Sequence, residues 1–212
     1  MTLDCKVIEN RILSKDARYL VFQYSPDYIP GQLVTLYRGE QSRLYSLAGP
    51  PGANLAHVLY TVVDEGVFSP WLASLSEGSI LSVSQPHGQF RPQGQGEVWI
   101  CNGTGLAPFI SFLMSRPLLE SVALYHGART LEGFYFRPLL ERFPLLEYLP
   151  CCTQESDGFV WKGRLTERLE SQPLRSDLTY QICGSSPMII QVRDILLAAG
   201  VPFSNILSEY YY

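Results

Sequence analysis

Three short segments carry residue types suited to holding an anionic ligand with a flat ring. Cys101-Asn102-Gly103-Thr104-Gly105-Leu106-Ala107-Pro108 follows a predicted strand and enters a predicted helix. Glycines there let the backbone approach a diphosphate, and the free N–H groups of the helix start point at the anion. Pro108 replaces the third glycine of Gly-x-Gly-x-x-Gly, and taken alone the segment fits an ordinary tight turn equally well. In Gly66-Val67-Phe68-Ser69-Pro70-Trp71-Leu72, Ser69 suits a helix cap, Pro70 the first helical position and Gly78 the close of a short helix. The N-terminus of that helix is a second place for phosphate, although a well-capped helix explains the same residues without a ligand. In Arg43-Leu44-Tyr45-Ser46, strand alternation puts Arg43 and Tyr45 on one face and Ser46 on the other. Arginine offers directed donors to phosphate, tyrosine a stacking plane and serine a short hydrogen bond to a ring nitrogen.

Other chemistry is poorly served. Gly158 to Arg164 has Arg164-Leu165 where a triphosphate loop requires Lys followed by Ser or Thr. His57, His87 and His126 lack ligand spacing, and the five cysteines are odd in number with no Cys-x-x-Cys pair, so no metal or iron–sulfur site is expected. Cys183 reads as a buried thiol at a strand end rather than a nucleophile. Glu209 is either a proton donor through a short network or a terminal carboxylate in a salt bridge.

The elements that must position these residues fall into two halves. From Cys5 to about Gln89, short apolar or alternating runs such as Tyr19 to Tyr24, Leu33 to Tyr37, His57 to Val63 and Ile80 to Val83 are separated by turn residues. They predict an antiparallel barrel or sandwich, of which the barrel leaves no exposed edge. From Glu97 onward, Val98 to Cys101, Val122 to His126, Tyr148 to Cys152 and Tyr180 to Cys183 alternate with helical patterns, as in a parallel sheet with crossover helices. In one of those helices Ser186 is expected to cap and Pro187 to occupy the first turn. Met188, Ile189, Val192, Ile195, Leu196 and Ala199 form its core stripe, and Gly200 ends it. The change of rhythm falls in Arg91-Pro92-Gln93-Gly94-Gln95-Gly96, which divides the chain into residues 1–94 and 95–212.

Composition limits the function classes. The 212 residues are 46% apolar and 17% charged, so a packed core rather than a disordered chain is expected. Net charge is −4, and no stretch concentrates Lys and Arg into the stripe that a phosphate backbone requires, which argues against nucleic acid. The longest apolar region, Val98 to Met114, is interrupted by Asn102, Gly103, Thr104, Gly105 and Pro108, unlike a membrane span. Asp4 and Lys6 precede any apolar run, unlike the layout of a signal peptide, so a cytoplasmic protein is expected, and a monomer.

The ordered set Pro30-Gly31-Gln32, Arg43-x-Tyr45-Ser46, Gly66-x-x-Ser69, Gly88-x-Phe90, Gly103-Thr104-Gly105-x-x-Pro108, Cys183-Gly184-x-x-Pro187-Met188 and an aromatic C-terminus resembles the ferredoxin–NADP reductase family. The resemblance covers nearly the whole chain. It implies a Greek-key β-barrel that binds FAD over residues 1–94. A Rossmann-like α/β domain for NADP or NAD would follow over 95–212, with the two ligands meeting at the domain interface. By that likeness Arg43 contacts the flavin diphosphate, Tyr45 stacks on the isoalloxazine and Ser46 reaches the ring near N5. Gly66, Val67, Phe68 and Ser69 hold the diphosphate, and His57 completes the flavin set. Gly103, Thr104, Gly105 and Pro108 cradle the nicotinamide coenzyme, with Cys183, Gly184 and Met188 at its nicotinamide end. Ser46, Tyr45, Cys183 and Tyr211 form the implied catalytic group. The ending Glu209-Tyr210-Tyr211-Tyr212 resembles the bacterial reductases whose tail covers the flavin, which places Tyr211 on the ring and Tyr212 near the adenine and favours FAD over FMN.

The same likeness implies hydride exchange between NAD(P)H and flavin and single-electron exchange with a ferredoxin- or flavodoxin-like carrier. Two alternatives keep the fold: a reductase component serving an oxygenase or a small acceptor, and a noncatalytic electron-transfer or regulatory subunit. One departure bears on coenzyme choice. In Cys152-Thr153-Gln154-Glu155, Gln154 stands where related NADP enzymes carry an arginine for the 2′-phosphate, and Arg129, Lys162 and Arg164 can compensate only in part. Weaker NADP selectivity is the expectation. Charge gives no strong steering, since residues 1–96 carry 7 basic and 8 acidic side chains and residues 97–212 carry 9 and 12.

Overall fold

The computed structural model describes residues 2–94, 96–115 and 120–211, with Tyr211 described in its backbone alone. The chain forms two compact units: residues 1–92 with 107–116, and residues 93–106 with 117–212.

The first unit holds β1 (Thr2–Ile12), β2 (Ala17–Gln23), β3 (Leu33–Arg38), β4 (Gln41–Ser46), β5 (Leu55–Thr61) and β6 (Ile80–Ser84) in the order β4-β3-β6-β1-β2-β5. Every pairing in it is antiparallel. Its two outer strands are drawn together by the bridge Leu47↔Val58 and by the Ala48 N–H donating to the His57 carbonyl at 2.8 Å. This nearly closes the barrel and removes most of the exposed edge. The alternating apolar side chains Val7, Leu20, Phe22, Val34, Leu36, Val58, Leu81 and Val83 turn inward as its core.

Helix α1 (Phe68–Ser74) adds Phe68 and Leu72 to that core. Its C-terminal carbonyls are tied to β1, because Asn10 Nδ2 donates to Leu72 O and Leu75 O at 2.9 Å each while Asn10 Oδ1 accepts from the Tyr60 hydroxyl at 2.9 Å. The expected cap is corrected: the N-cap is Val67, and Ser69 lies inside the helix. The Ser69 hydroxyl instead accepts the Val63 N–H at 2.9 Å, so it braces the preceding loop. Gly78 does not close the helix either, since Leu75 is already extended; with φ +87° Gly78 serves the turn before β6.

Helix α2 (Ala107–Ser115) is buried on all sides from Ala107 to Leu113 and groups with the first unit. Ser111 Oγ donates to Gly49 O at 2.8 Å, and Phe109 and Phe112 pack on Phe90 with ring centroids 6.0 and 5.9 Å apart. The sequence expects one cut after residue 94. Contacts divide the chain at Gln93 and return residues 107–116 to the barrel unit, so neither unit is a single stretch of chain.

The second unit holds β7 (Glu97–Asn102), β8 (Val122–Ala128), β9 (Leu146–Cys152), β10 (Trp161–Lys162), β11 (Thr179–Ser185) and β12 (Ile206–Tyr211). All are parallel, in the order β10-β9-β8-β7-β11-β12. Helices α3 (Arg137–Leu140), α4 (Leu165–Glu170) and α5 (Ser186–Ala198) join them. Ile100, Ile182 and Ile206 from the sheet pack with Leu165 and Leu169 of α4 and Met188, Ile189, Val192 and Leu196 of α5. The N-cap of α5 is Ser185 rather than Ser186, and Ser185 makes no side-chain cap because its hydroxyl is engaged elsewhere, as described below. Residues 206–211, expected as an aromatic tail, form the sixth strand of this sheet.

Among the described residues no helix is long and apolar enough to cross a membrane, and no cluster of His, Cys, Asp and Glu could hold a metal ion.

Candidate functional site

In the parallel sheet, chain order runs outward from β7 through β8, β9 and β10 on one side and from β11 to β12 on the other. The reversal falls between β7 and β11, and in open α/β sheets ligands bind beyond the carboxyl ends of the strands at such a point. The carboxyl end of β7 leads into Gly103-Thr104-Gly105, and that of β11 carries Cys183-Gly184-Ser185. Gly103 has φ +52° and begins a single 3₁₀ turn. At Gly105 a Cβ would stand well inside contact distance of the Cys183 carbonyl, and at Gly184, with φ +145°, one would collide with Asn102 Oδ1 and lie 3.0 Å from Met188 Cε. The two segments approach this closely only because both positions lack a side chain.

Asn102, not singled out in the sequence, locks them together. Its Nδ2 donates to Ser185 Oγ and its Oδ1 accepts the Ser185 N–H, both at 2.9 Å. A side-chain amide directly before Gly-x-Gly was the available signal, because asparagine at a strand end can satisfy a neighbouring backbone donor. Cys183 is fully buried and its backbone pairs with Glu209. Cys101 pairs with it across the strands, and burial followed by the nearby Cys183 pushes the Cys101 thiol up. Pro108 lies buried in α2 of the other unit.

At the carboxyl ends of β8, β9 and β10 the structure brings Arg129, Thr153, Gln154, Lys162 and Arg164 together on the surface. Backbone bonds from Thr153 N to Ala128 O at 3.2 Å and from Gln154 N to Arg129 O at 2.9 Å set them side by side. Lys162 Nζ donates to the Gln154 carbonyl. Nearby carboxylates are occupied: Glu155 Oε2 accepts the Leu131 N–H at 2.6 Å, and Asp157 binds Arg137 at 2.6 Å, which with two backbone donors holds its carboxyl down at about 2. Arg129 and Arg164 have no carboxylate partner among the described residues.

In the barrel unit, Arg43 is exposed on β4, donates to Ser42 O at 2.7 Å and lies 5.8 Å from the centroid of the Phe68 ring. Tyr45, half-buried, is near-parallel to Phe68 at 6.4 Å, and burial raises its hydroxyl well above the ordinary tyrosine range. Ser46 is buried at the strand end. The Gly66 N–H donates to Val63 O at 2.8 Å, and exposed Val67 presents its carbonyl to Arg38 at 3.0 Å. Arg38 also lies 5.4 Å from the centroid of the Trp71 ring. Two arginines thus lie near aromatic rings with no carboxylate partner among the described residues, beside a half-buried tyrosine. That set fits a diphosphate joined to a flat ring. His57 is committed to the Tyr19 hydroxyl through Nδ1 at 2.9 Å, covers the face of Gly49, and is pushed down by burial. The Tyr211 ring and all of Tyr212 lie outside the described residues.

Residues 99–194 match the family model described as the oxidoreductase NAD-binding domain. The toluate 1,2-dioxygenase electron transfer component of Pseudomonas putida is 26% identical over 195 residues, covering 86% of this chain and 58% of its own length. The ferredoxin–NADP reductase of Azotobacter vinelandii is 28% identical over 197 residues, covering 79% of this chain and 76% of its own. The chain therefore spans little more than half the length of the first of these relatives. Among solved structures, a ferredoxin NADP+ reductase from Neisseria gonorrhoeae with bound FAD and NADP superposes with a TM-score of 0.91 at 20% identity, covering 100% of this chain and 99% of that one. The barrel with its arginine–tyrosine–serine strand end and the parallel sheet opened at its switch point give the chain the fold of the solved reductase, and in sequence it is similar to a ferredoxin–NADP reductase and to an oxygenase electron transfer component.

Proposed function

We propose that the chain is an FAD-dependent oxidoreductase that exchanges hydride with NADPH or NADH and single electrons with a ferredoxin- or flavodoxin-like protein. The observation that carries this reading is the switch point between β7 and β11, where Asn102 joins the glycine turn to Cys183-Gly184-Ser185. We assign FAD to the barrel unit and the coenzyme to the parallel-sheet unit. A bound flavin supplies the conversion between two-electron hydride chemistry and one-electron transfer. This chain's own residues supply charge, position and exclusion of water.

Arg43 offers charge-assisted donors to a diphosphate, Tyr45 a stacking plane, and Ser46 a buried hydroxyl. The Gly66 to Ser69 turn is pre-set by the bonds of Ser69 and Arg38, so little ordering remains on binding. In the second unit the backbone of Gly103, Thr104 and Gly105 meets the coenzyme diphosphate, and Cys183, Gly184 and Met188 shape the nicotinamide end. With its thiol fully buried, Cys183 acts here by shape rather than as a nucleophile. The oxygenase-component relative supports a second acceptor class, the oxygenase partner of such a chain.

Equilibrium titration with FAD tests the flavin assignment. The wild-type chain is expected to retain FAD at one per chain, and Arg43→Ala to weaken retention by about tenfold or more, the scale of one lost charge-assisted bond. Retention unchanged by Arg43→Ala and by Tyr45→Ala would overturn the assignment.

A further inference from the structure

The glycine turn after β7 has an unusual neighbour. A Cβ built on Gly103 meets one atom within 4 Å, the Tyr135 hydroxyl oxygen at 4.0 Å. The side of Gly103 left open by the missing side chain therefore faces a tyrosine hydroxyl. Asn102, Gly103, Thr104, Gly105 and Leu106 are all uncharged, so the turn meets an anion with neutral donors alone.

Tyr135 is held there by a built turn. Phe134 before it is buried with Cys152 and Val160, its ring edge-on to His126 at 5.2 Å. Phe136 after it has φ +65°, a left-handed conformation that a bulky residue adopts at a cost. The Phe136 carbonyl accepts from Leu139 N at 2.8 Å and Leu140 N at 2.9 Å, which starts α3. Arg137 fixes the far side through Glu141 at 2.8 Å and Asp157 at 2.6 Å, with its guanidinium 4.1 Å from the Phe159 ring centroid. Strain kept at one position by anchors on both sides is the arrangement expected where a side chain must be presented accurately.

We propose that the Tyr135 hydroxyl, beside the glycine turn at Gly103, binds the diphosphate of the nicotinamide coenzyme by donating a hydrogen bond to it. The inference rests on the assignment of the coenzyme to this unit. The diphosphate is common to NADPH and NADH, so Tyr135 contributes affinity without choosing between them; that choice belongs to Arg129, Gln154 and Arg164.

Isothermal titration of the flavin-loaded chain with NADP+, ADP and adenosine, for the wild type and for Tyr135→Phe, tests this directly. The phenylalanine variant keeps the ring and loses only the hydroxyl. Its Kd for NADP+ and for ADP is expected to rise about tenfold, as for a lost hydrogen bond to a charged group, with adenosine binding unchanged. In steady-state assays KM for NADPH and NADH should rise together with kcat unaltered. If the wild type binds neither NADP+ nor ADP, the coenzyme assignment itself fails and the inference with it. If the wild type binds both and Tyr135→Phe binds them equally well, the role of Tyr135 alone is overturned. Equal weakening of ADP and adenosine would also overturn it, by removing the diphosphate from the contact.

Discussion

Gln154 is the residue on which coenzyme choice should turn. Its neighbours Arg129 and Arg164 are exposed without carboxylate partners among the described residues, while Lys162 is drawn onto the Gln154 carbonyl. Two open guanidinium groups favour a 2′-phosphate, and the amide at 154 adds no charge to them. Gln154→Arg is expected to raise the ratio of kcat/KM for NADPH over NADH by about tenfold; a ratio left where it was would contradict the placement of the phosphate here. His126 makes a different prediction at the same scale. Its ring is fully buried on β8, Nδ1 shares a hydrogen bond with the Tyr148 hydroxyl at 3.0 Å, and Nε2 has no hydrogen-bond partner among the described residues. Burial lowers its pKa from the ordinary 6.5 to about 3. Below pH 6.5 the unfolded chain takes up a proton that the folded chain refuses. The stability contribution is therefore complete above that pH and lost as pH falls toward 3, by up to about 1.4 kcal/mol per pH unit. Urea unfolding at pH 7 and pH 5 should show a smaller loss in His126→Gln than in the wild type, whatever the variant's stability at pH 7. Equal losses would mean that His126 already titrates normally when folded. Neither the burial nor the orphan nitrogen of His126 was visible in the sequence, where three scattered histidines look alike.

Elements explain why part of the site was legible and part was not. The strands were read from apolar alternation and apolar runs, which the barrel and the parallel sheet impose on their inward positions regardless of detail. Caps failed where a hydroxyl had two places to go. Ser69 serves Val63 rather than its own helix, and Ser185 answers Asn102 rather than capping α5, choices decided by tertiary neighbours that no local pattern records. Asn102 itself was passed over for the same reason, since its partner lies 83 residues away. Likewise, residues 206–211 look like an aromatic tail until β11 supplies the strand they pair with. The close approach of the glycine turn to β11 gives a prediction about elements rather than single groups. Gly105→Ala sets a methyl against the Cys183 carbonyl, a backbone atom that cannot step aside cheaply. Overpacking of that kind costs about 1–3 kcal/mol, which lowers Tm by roughly 2–4 °C per kcal/mol in a chain of this size. A calorimetric Tm equal to that of the wild type would show that the two segments are not in contact.

For the whole molecule, the order of the motifs mattered more than any one of them. Gly103-Thr104-Gly105 alone fits a tight turn, and Gly66 to Ser69 alone fits a helix start; together with Arg43-x-Tyr45-Ser46 ahead of a parallel-sheet half they specify the two-unit architecture that the structure displays. The acceptor is the property least written in the chain, because a net charge of −4 spread over both halves gives no overall attraction to an acidic carrier. The central claim concerns electrons entering from a nicotinamide coenzyme, and anaerobic stopped-flow absorbance on the FAD-loaded chain, mixed separately with NADPH and with NADH, measures it most directly. Loss of the oxidised flavin band within the mixing experiment, faster with one coenzyme than the other, is the predicted result. A chain that takes up FAD yet keeps that band unchanged with both coenzymes would contradict the account and leave a flavin-binding subunit in its place.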